Sequence, residues 1–187
     1  MVVLGLGVVG RGLFGGNLMT TQFWGLCLTF FSFFFSLTAK QEGKAEDKYE
    51  FLASWKWYTV MFELAFTWMI VSACFVWFVV GEPKNKTTMV NVFNWFENCI
   101  PLIALIVDYF TSCQPFVMNH IIVIMGFDLA YFGVVLAFIN TSVNPYPAFF
   151  RTDSFGSWVK MGTIFLAFPV IFVILEYLTR KKLAYQK

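Results

Sequence analysis

A chain of 187 residues that is 59 % hydrophobic and only 13 % charged is too apolar for a soluble domain, because a fold of this size buries only about 70 % of the surface its unfolded chain exposes. Its net charge of +2 gives no electrostatic footprint for nucleic acid. What remains is an integral membrane protein.

Residues 1–18 form a glycine-rich segment ahead of the first long apolar stretch. Gly5, Gly7 and Gly10 follow a short apolar run and match the spacing of a dinucleotide-binding fingerprint. That fingerprint needs a βαβ unit and an acidic residue about 20 positions further on. The first acid here is Glu42, and a membrane span comes before it, so nucleotide binding is excluded. Gly12 and Gly16 instead have the small-xxx-small spacing that lets helices approach closely. Glycines interrupt any apolar core of the segment, which makes it a poor secretory signal.

Residues 19–187 read as one all-α domain, a polytopic bundle of about five transmembrane helices. A span needs roughly 20 apolar residues, and five stretches qualify, at about 19–38, 55–80, 92–111, 117–139 and 158–179. Backbone groups in hydrocarbon must be satisfied within the segment, so stretches this long without strict alternation are helices and not barrel strands. The gaps are short: a mixed-charge linker over 40–50, a turn with Pro83, a hairpin around Pro115, and the breakers Asn144, Pro145 and Pro147. The tight hairpin makes the third and fourth helices antiparallel neighbours. Alternating sides place eight basic residues on the face of the carboxyl terminus and five on the other, which puts the carboxyl terminus inside.

Acids within the spans carry the chemistry. Glu63 lies about two turns into the second span and Asp128 near the middle of the fourth. Glu97 and Asp108 share one face of the third, since eleven residues at about 100° each return within about 20°. A charged acid at the bilayer centre costs roughly 2.5–3.5 kcal/mol, so each must be paired, protonated or turned inward. Depth pairs Glu63 with Asp128, and Glu97 with Lys160 at the start of the fifth span. These groups serve either as locks between helices or as a proton or ion path. The wholly apolar neighbours of Asp128, from Phe127 to Phe132, favour locks.

His120 is the only histidine, which excludes a paired axial haem ligation, and beside Asn119 at a span entrance it reads as an interfacial hydrogen-bonder. Cys27, Cys74, Cys99 and Cys113 lack metal-site spacing and read as small apolar side chains. No metal or cofactor is expected, apart from structural lipids. Aromatic residues make up 21 % of the chain, and six of its seven tryptophans fall near span ends; Trp68 does not. The excess of phenylalanine reads as lipid-facing bulk, with a lipid or quinone groove as the alternative. Asn85 and Asn140 begin glycosylation acceptor patterns on the outer side.

Trp24 with Leu28-Thr29-Phe30, the polar linker, a tryptophan-led second span, Asn94-Trp95 opening the third, and Asn144-Pro145-Tyr146-Pro147 before the last cover about residues 23–180. In these pieces the chain resembles a shortened, degenerate relative of the androgen-induced protein family, membrane hydrolases of fatty-acid esters that use a threonine and a histidine. The resemblance implies that Thr29 stands where the nucleophile would be. The histidine expected shortly after Trp95 is missing, with Asn98 and Pro101 nearby instead, and His120 comes a whole span later. A hydroxyl without its base is a weak nucleophile, so the resemblance implies a pseudoenzyme.

The expected function is a non-catalytic accessory subunit of a larger membrane complex, with other membrane subunits and lipids as partners and no nucleic acid. A respiratory assembly of the mitochondrial inner membrane suits a small, aromatic-rich, helix-only subunit. The family resemblance points instead to the endoplasmic reticulum or plasma membrane. An intramembrane hydrolase using Thr29 with His120, and a proton or ion carrier, are the alternatives.

Overall fold

The computed structural model describes residues 20–45, 53–76, 88–111, 115–140 and 152–185. The glycine-rich segment with Gly12 and Gly16, the Asn85 acceptor pattern and Cys113 lie outside them. The described residues form five helices: α1 (Thr21–Ala45), α2 (Ala53–Cys74), α3 (Thr88–Thr111), α4 (Ile121–Phe138) and α5 (Phe155–Tyr185). A 3-10 turn at Met118–His120 leads into α4. Among the described residues four stretches are long and apolar enough to cross a membrane: Thr21–Ala39, Lys56–Cys74, Met118–Phe138 and Phe155–Ala184. The bundle of about five helices expected from the sequence is the fold found, with α3 in the place of the third expected span.

Pro101 and Pro169 sit inside α3 and α5. Each removes one backbone donor, which transmembrane helices tolerate where neighbouring groups satisfy the freed carbonyl. The last helix runs past its expected end at about 179, because Arg180, Lys181 and Lys182 continue it as good helix formers beyond the apolar stretch.

α2 is the central element. Two thirds of its span (67 %) is buried, against 22 % for α4 and 28 % for α5. It packs most extensively on α1, and also on α3 and α5. α4 packs chiefly on α5. Among the described residues α3 and α4 are not the closely packed pair that the short connection suggested.

Side-chain ties fix the directions of the helices. Phe35 of α1 stacks on Trp57 of α2 with ring centroids 6.4 Å apart. The Tyr58 hydroxyl donates to Asp108 of α3 at 2.7 Å, and Tyr109 and Thr179 hydroxyls meet at 3.1 Å. The end of α1, the start of α2, and the ends of α3 and α5 thus share one face of the bundle. Lys56, Arg180 and Lys181 are exposed on that face, and Lys182 bonds the Tyr109 carbonyl.

At the opposite end α1 and α2 approach closely. A Cβ added to Gly25 would lie 2.5 Å from the Met69 sulfur and 3.3 Å from the Trp68 ring. Gly25 thus does the close packing that Gly12 and Gly16 were expected to do. Gly25→Leu is expected to cost about 1–3 kcal/mol, the usual penalty for overpacking, read as a shifted midpoint of reversible unfolding in mixed micelles. An unchanged midpoint would show that α1 can move away freely.

Candidate functional site

The 3-10 turn before α4 begins with backbone donors that its own sequence leaves unsatisfied. Val117 is extended and makes no side-chain capping bond, although the first turns of a helix leave several N–H groups without intrahelical partners. Glu63, from the middle of α2, supplies the cap across the bundle. Its Oε1 accepts the Val117 N–H at 2.7 Å, and its Oε2 lies 2.6 Å from Nδ1 of His120. Glu63 is completely buried, and the His120 side chain is 28 % exposed. An acid at a helix N-terminus faces the positive end of the helix dipole, and bonds to an ionised acceptor are stronger than neutral ones. The Oε2–Nδ1 bond forms either with a ring hydrogen on Nδ1 facing a carboxylate or with a protonated carboxyl donating to Nδ1.

This arrangement corrects the pairing inferred from depth. Glu63 meets His120 and Val117, not Asp128, because its position in α2 is level with the entrance to α4 and not with that helix's middle. Asp128 is fully buried on the inner face of α4, and neither of its carboxylate oxygens has a hydrogen-bond partner among the described residues. Asp108 accepts a hydrogen bond from the Tyr58 hydroxyl, which ties α3 to α2. Glu97 is buried on α3, and Lys160 is exposed on the second turn of α5.

Comparison with family models, with curated proteins and with solved structures gives no match. The reading of the site therefore rests on its geometry.

Thr29 is buried, and its hydroxyl donates to the Gly25 carbonyl of its own helix at 2.7 Å. His120 is engaged by Glu63. No hydrogen bond joins Thr29 to His120, although nucleophilic activation of a threonine needs its base within bonding reach. A groove of about 490 Å³ runs between α1 and α2, and Thr29 is not among its lining residues. The thiols of Cys27, Cys74 and Cys99 are free. Asn140 is exposed at the end of α4 and accepts a hydrogen bond from Thr152.

Several ties escaped the sequence reading. Trp68 donates its indole N–H to the Thr21 carbonyl at 2.9 Å, and Thr21 shares a hydroxyl contact of 3.0 Å with Ser72. Trp68 was the single tryptophan away from the span ends, which was the available signal. Buried deep in the bilayer, an indole N–H must find a partner inside the protein. The hydroxyl pairs had no comparable signal, since Thr and Ser in a span can equally bond their own helix, as Thr38, Thr111 and Thr163 do.

Proposed function

We propose that this chain is a non-catalytic structural subunit of a larger membrane complex. The observation that carries the reading is how the polar groups of the spans are engaged. Glu63 binds the entrance of α4, Asp108 takes the Tyr58 hydroxyl, Tyr109 meets Thr179, and Thr21 meets Ser72 and Trp68. Each of these joins one helix to another, so they set the shape of the bundle. The Thr29 hydroxyl is held by its own backbone, which leaves the hydrolase reading without an activated nucleophile. The outer faces of α4 and α5 offer Ile122, Leu129, Leu166 and Val170 to lipids or to neighbouring subunits. Small size, helical composition and abundant aromatic residues favour an energy-transducing membrane, the mitochondrial inner membrane in the first place, with the endoplasmic reticulum or plasma membrane as the alternative.

One observation favours a second reading. A buried carboxyl without a partner inside a span is costly, and such residues often mark ion or proton pathways. Asp128→Asn separates the two. Purification in mild detergent, followed by mass spectrometry of co-migrating proteins, is expected to recover the native chain with a fixed set of membrane subunits. The variant, changed at a side chain buried wholly within the chain, is expected to keep that set, with no change in proton flux across vesicles holding the purified chain. An intact set with altered flux would favour the carrier reading. A solitary chain that cleaves lipid esters would overturn the proposal.

A further inference from the structure

Phe23, Cys27, Phe31 and Phe35 recur every fourth residue along α1, and all four line the groove between α1 and α2. The small Cys27 side chain between phenylalanine rings forms its notch. Trp57 of α2, stacked on Phe35, closes one end. Phe127 of α4 stands at the other, edge-on to Trp24 with ring centroids 6.3 Å apart. The cavity of about 490 Å³ falls within the roughly 300–1,000 Å³ typical of ligand pockets.

Shape and chemistry restrict the occupant. From Phe23 to Phe35 the groove follows α1 for about 18 Å at 1.5 Å per residue, somewhat more than half of a hydrocarbon core about 30 Å thick. It is therefore long and narrow, suited to one extended chain. Among the described residues its lining side chains include no hydroxyl, carboxyl, amide or basic group, and their polar hydrogens are those of the Cys27 thiol and the Trp24 and Trp57 indoles. A quinone carbonyl or a sterol hydroxyl would be buried there with little to bond, which is unfavourable, whereas an unbranched acyl chain needs no such partner. The Trp57 end lies at the end of the bundle where Lys56, next to Trp57 in the chain, and Lys181 are exposed, and where Arg180 is ion-paired with Glu176. Lysines at this level attract anionic headgroups.

We propose that the groove holds one acyl chain of an anionic phospholipid, its headgroup at the Lys56–Trp57 end. The site goes beyond the structural-subunit reading and does not depend on it, since a bilayer surrounds the groove whether or not other subunits do.

The test uses the full chain reconstituted in phosphatidylcholine vesicles. They contain a small fraction of phosphatidylglycerol, or in parallel of phosphatidylcholine, carrying a diazirine on one acyl chain, and the cross-links are mapped by mass spectrometry. Labelling is expected to concentrate on the α1 peptide containing residues 23–35, above the outward residues Leu129 of α4 and Val170 of α5, and more strongly with phosphatidylglycerol. Cys27→Trp fills the notch and is expected to bring labelling down to the level of the outward faces. Circular dichroism checks its folding, with Phe31→Trp as the replacement should it not fold. Lys56→Glu, at an exposed position, is expected to abolish the preference for phosphatidylglycerol while phosphatidylcholine labelling persists. Uniform labelling of α1, α4 and α5 in the native chain would overturn the proposal. So would a Lys56→Glu variant with its preference unchanged, or protection of Cys27 from maleimide by a short-chain quinone but not by phospholipid. Cross-links between two copies through α1 would overturn it in favour of a dimer.

Discussion

Glu63→Ala is expected to destabilise the bundle by about 3 kcal/mol, since it removes the partner of two hydrogen bonds, and each buried group left unsatisfied costs about 1–3 kcal/mol. His120→Ala removes only one of them and leaves the Val117 N–H capped, so its expected cost is about 1.5 kcal/mol. The double variant is expected to be no worse than Glu63→Ala alone, because without the carboxylate the imidazole has no bond left to lose. Glu63→Gln falls between, as an amide oxygen can still accept from Val117 but carries no charge toward the helix dipole. Reversible unfolding in mixed micelles measures all four proteins as a double-mutant cycle. Costs that add within about 0.5 kcal/mol would show that the two side chains are not coupled, and the cross-bundle cap would then be a contact without energetic weight.

The locations of the helices were legible because lipid imposes a simple length rule, and charged residues at the ends of apolar stretches mark where it stops applying. Lys56 and Phe138 bound the second and fourth spans close to where hydropathy placed them. Partners were less legible. Depth along one helix is readable from residue number, but the level at which α4 enters the bundle relative to α2 is not, and that offset decided that Glu63 meets His120 at the entrance while Asp128 lies deeper with no hydrogen-bond partner among the described residues. The sequence reading of the histidine as a hydrogen-bonder at a span entrance could not name its partner, which required the packing. The excess of phenylalanine in the chain was read as lipid-facing bulk, with a lipid or quinone groove as the alternative. An apolar groove lined by Phe23, Phe31 and Phe35 is present where position 27 interrupts the ring stripe with a small side chain. Gly25 was passed over for the reason that made Gly12 and Gly16 conspicuous: close approach was sought in a glycine pair, whereas a single glycine facing Met69 and Trp68 is enough.

Trp68→Ala is expected to be the more damaging of two changes at the centre of the bundle. The ring is 1 % exposed. It lies 4.4 Å from Phe168 of α5, 5.4 Å from Tyr131 of α4 and 6.0 Å from Trp24 of α1, centroid to centroid, so one side chain on α2 touches three other helices. Truncating a buried tryptophan to alanine typically costs about 3–5 kcal/mol, and aromatic pairs add about 0.5–1.5 kcal/mol each beyond the area they bury. Trp68→Phe keeps most of the ring packing and removes the donor to the Thr21 carbonyl. That carbonyl already serves as an acceptor within α1, so the expected cost is only about 1 kcal/mol, in the range of interhelical hydrogen bonds in membranes. The comparison separates packing from hydrogen bonding at one position. Equal losses for the two variants would mean that the indole N–H, and not the ring, holds α1 against α2. The bundle would then be organised by its polar ties alone, and the aromatic cluster would serve only as filling.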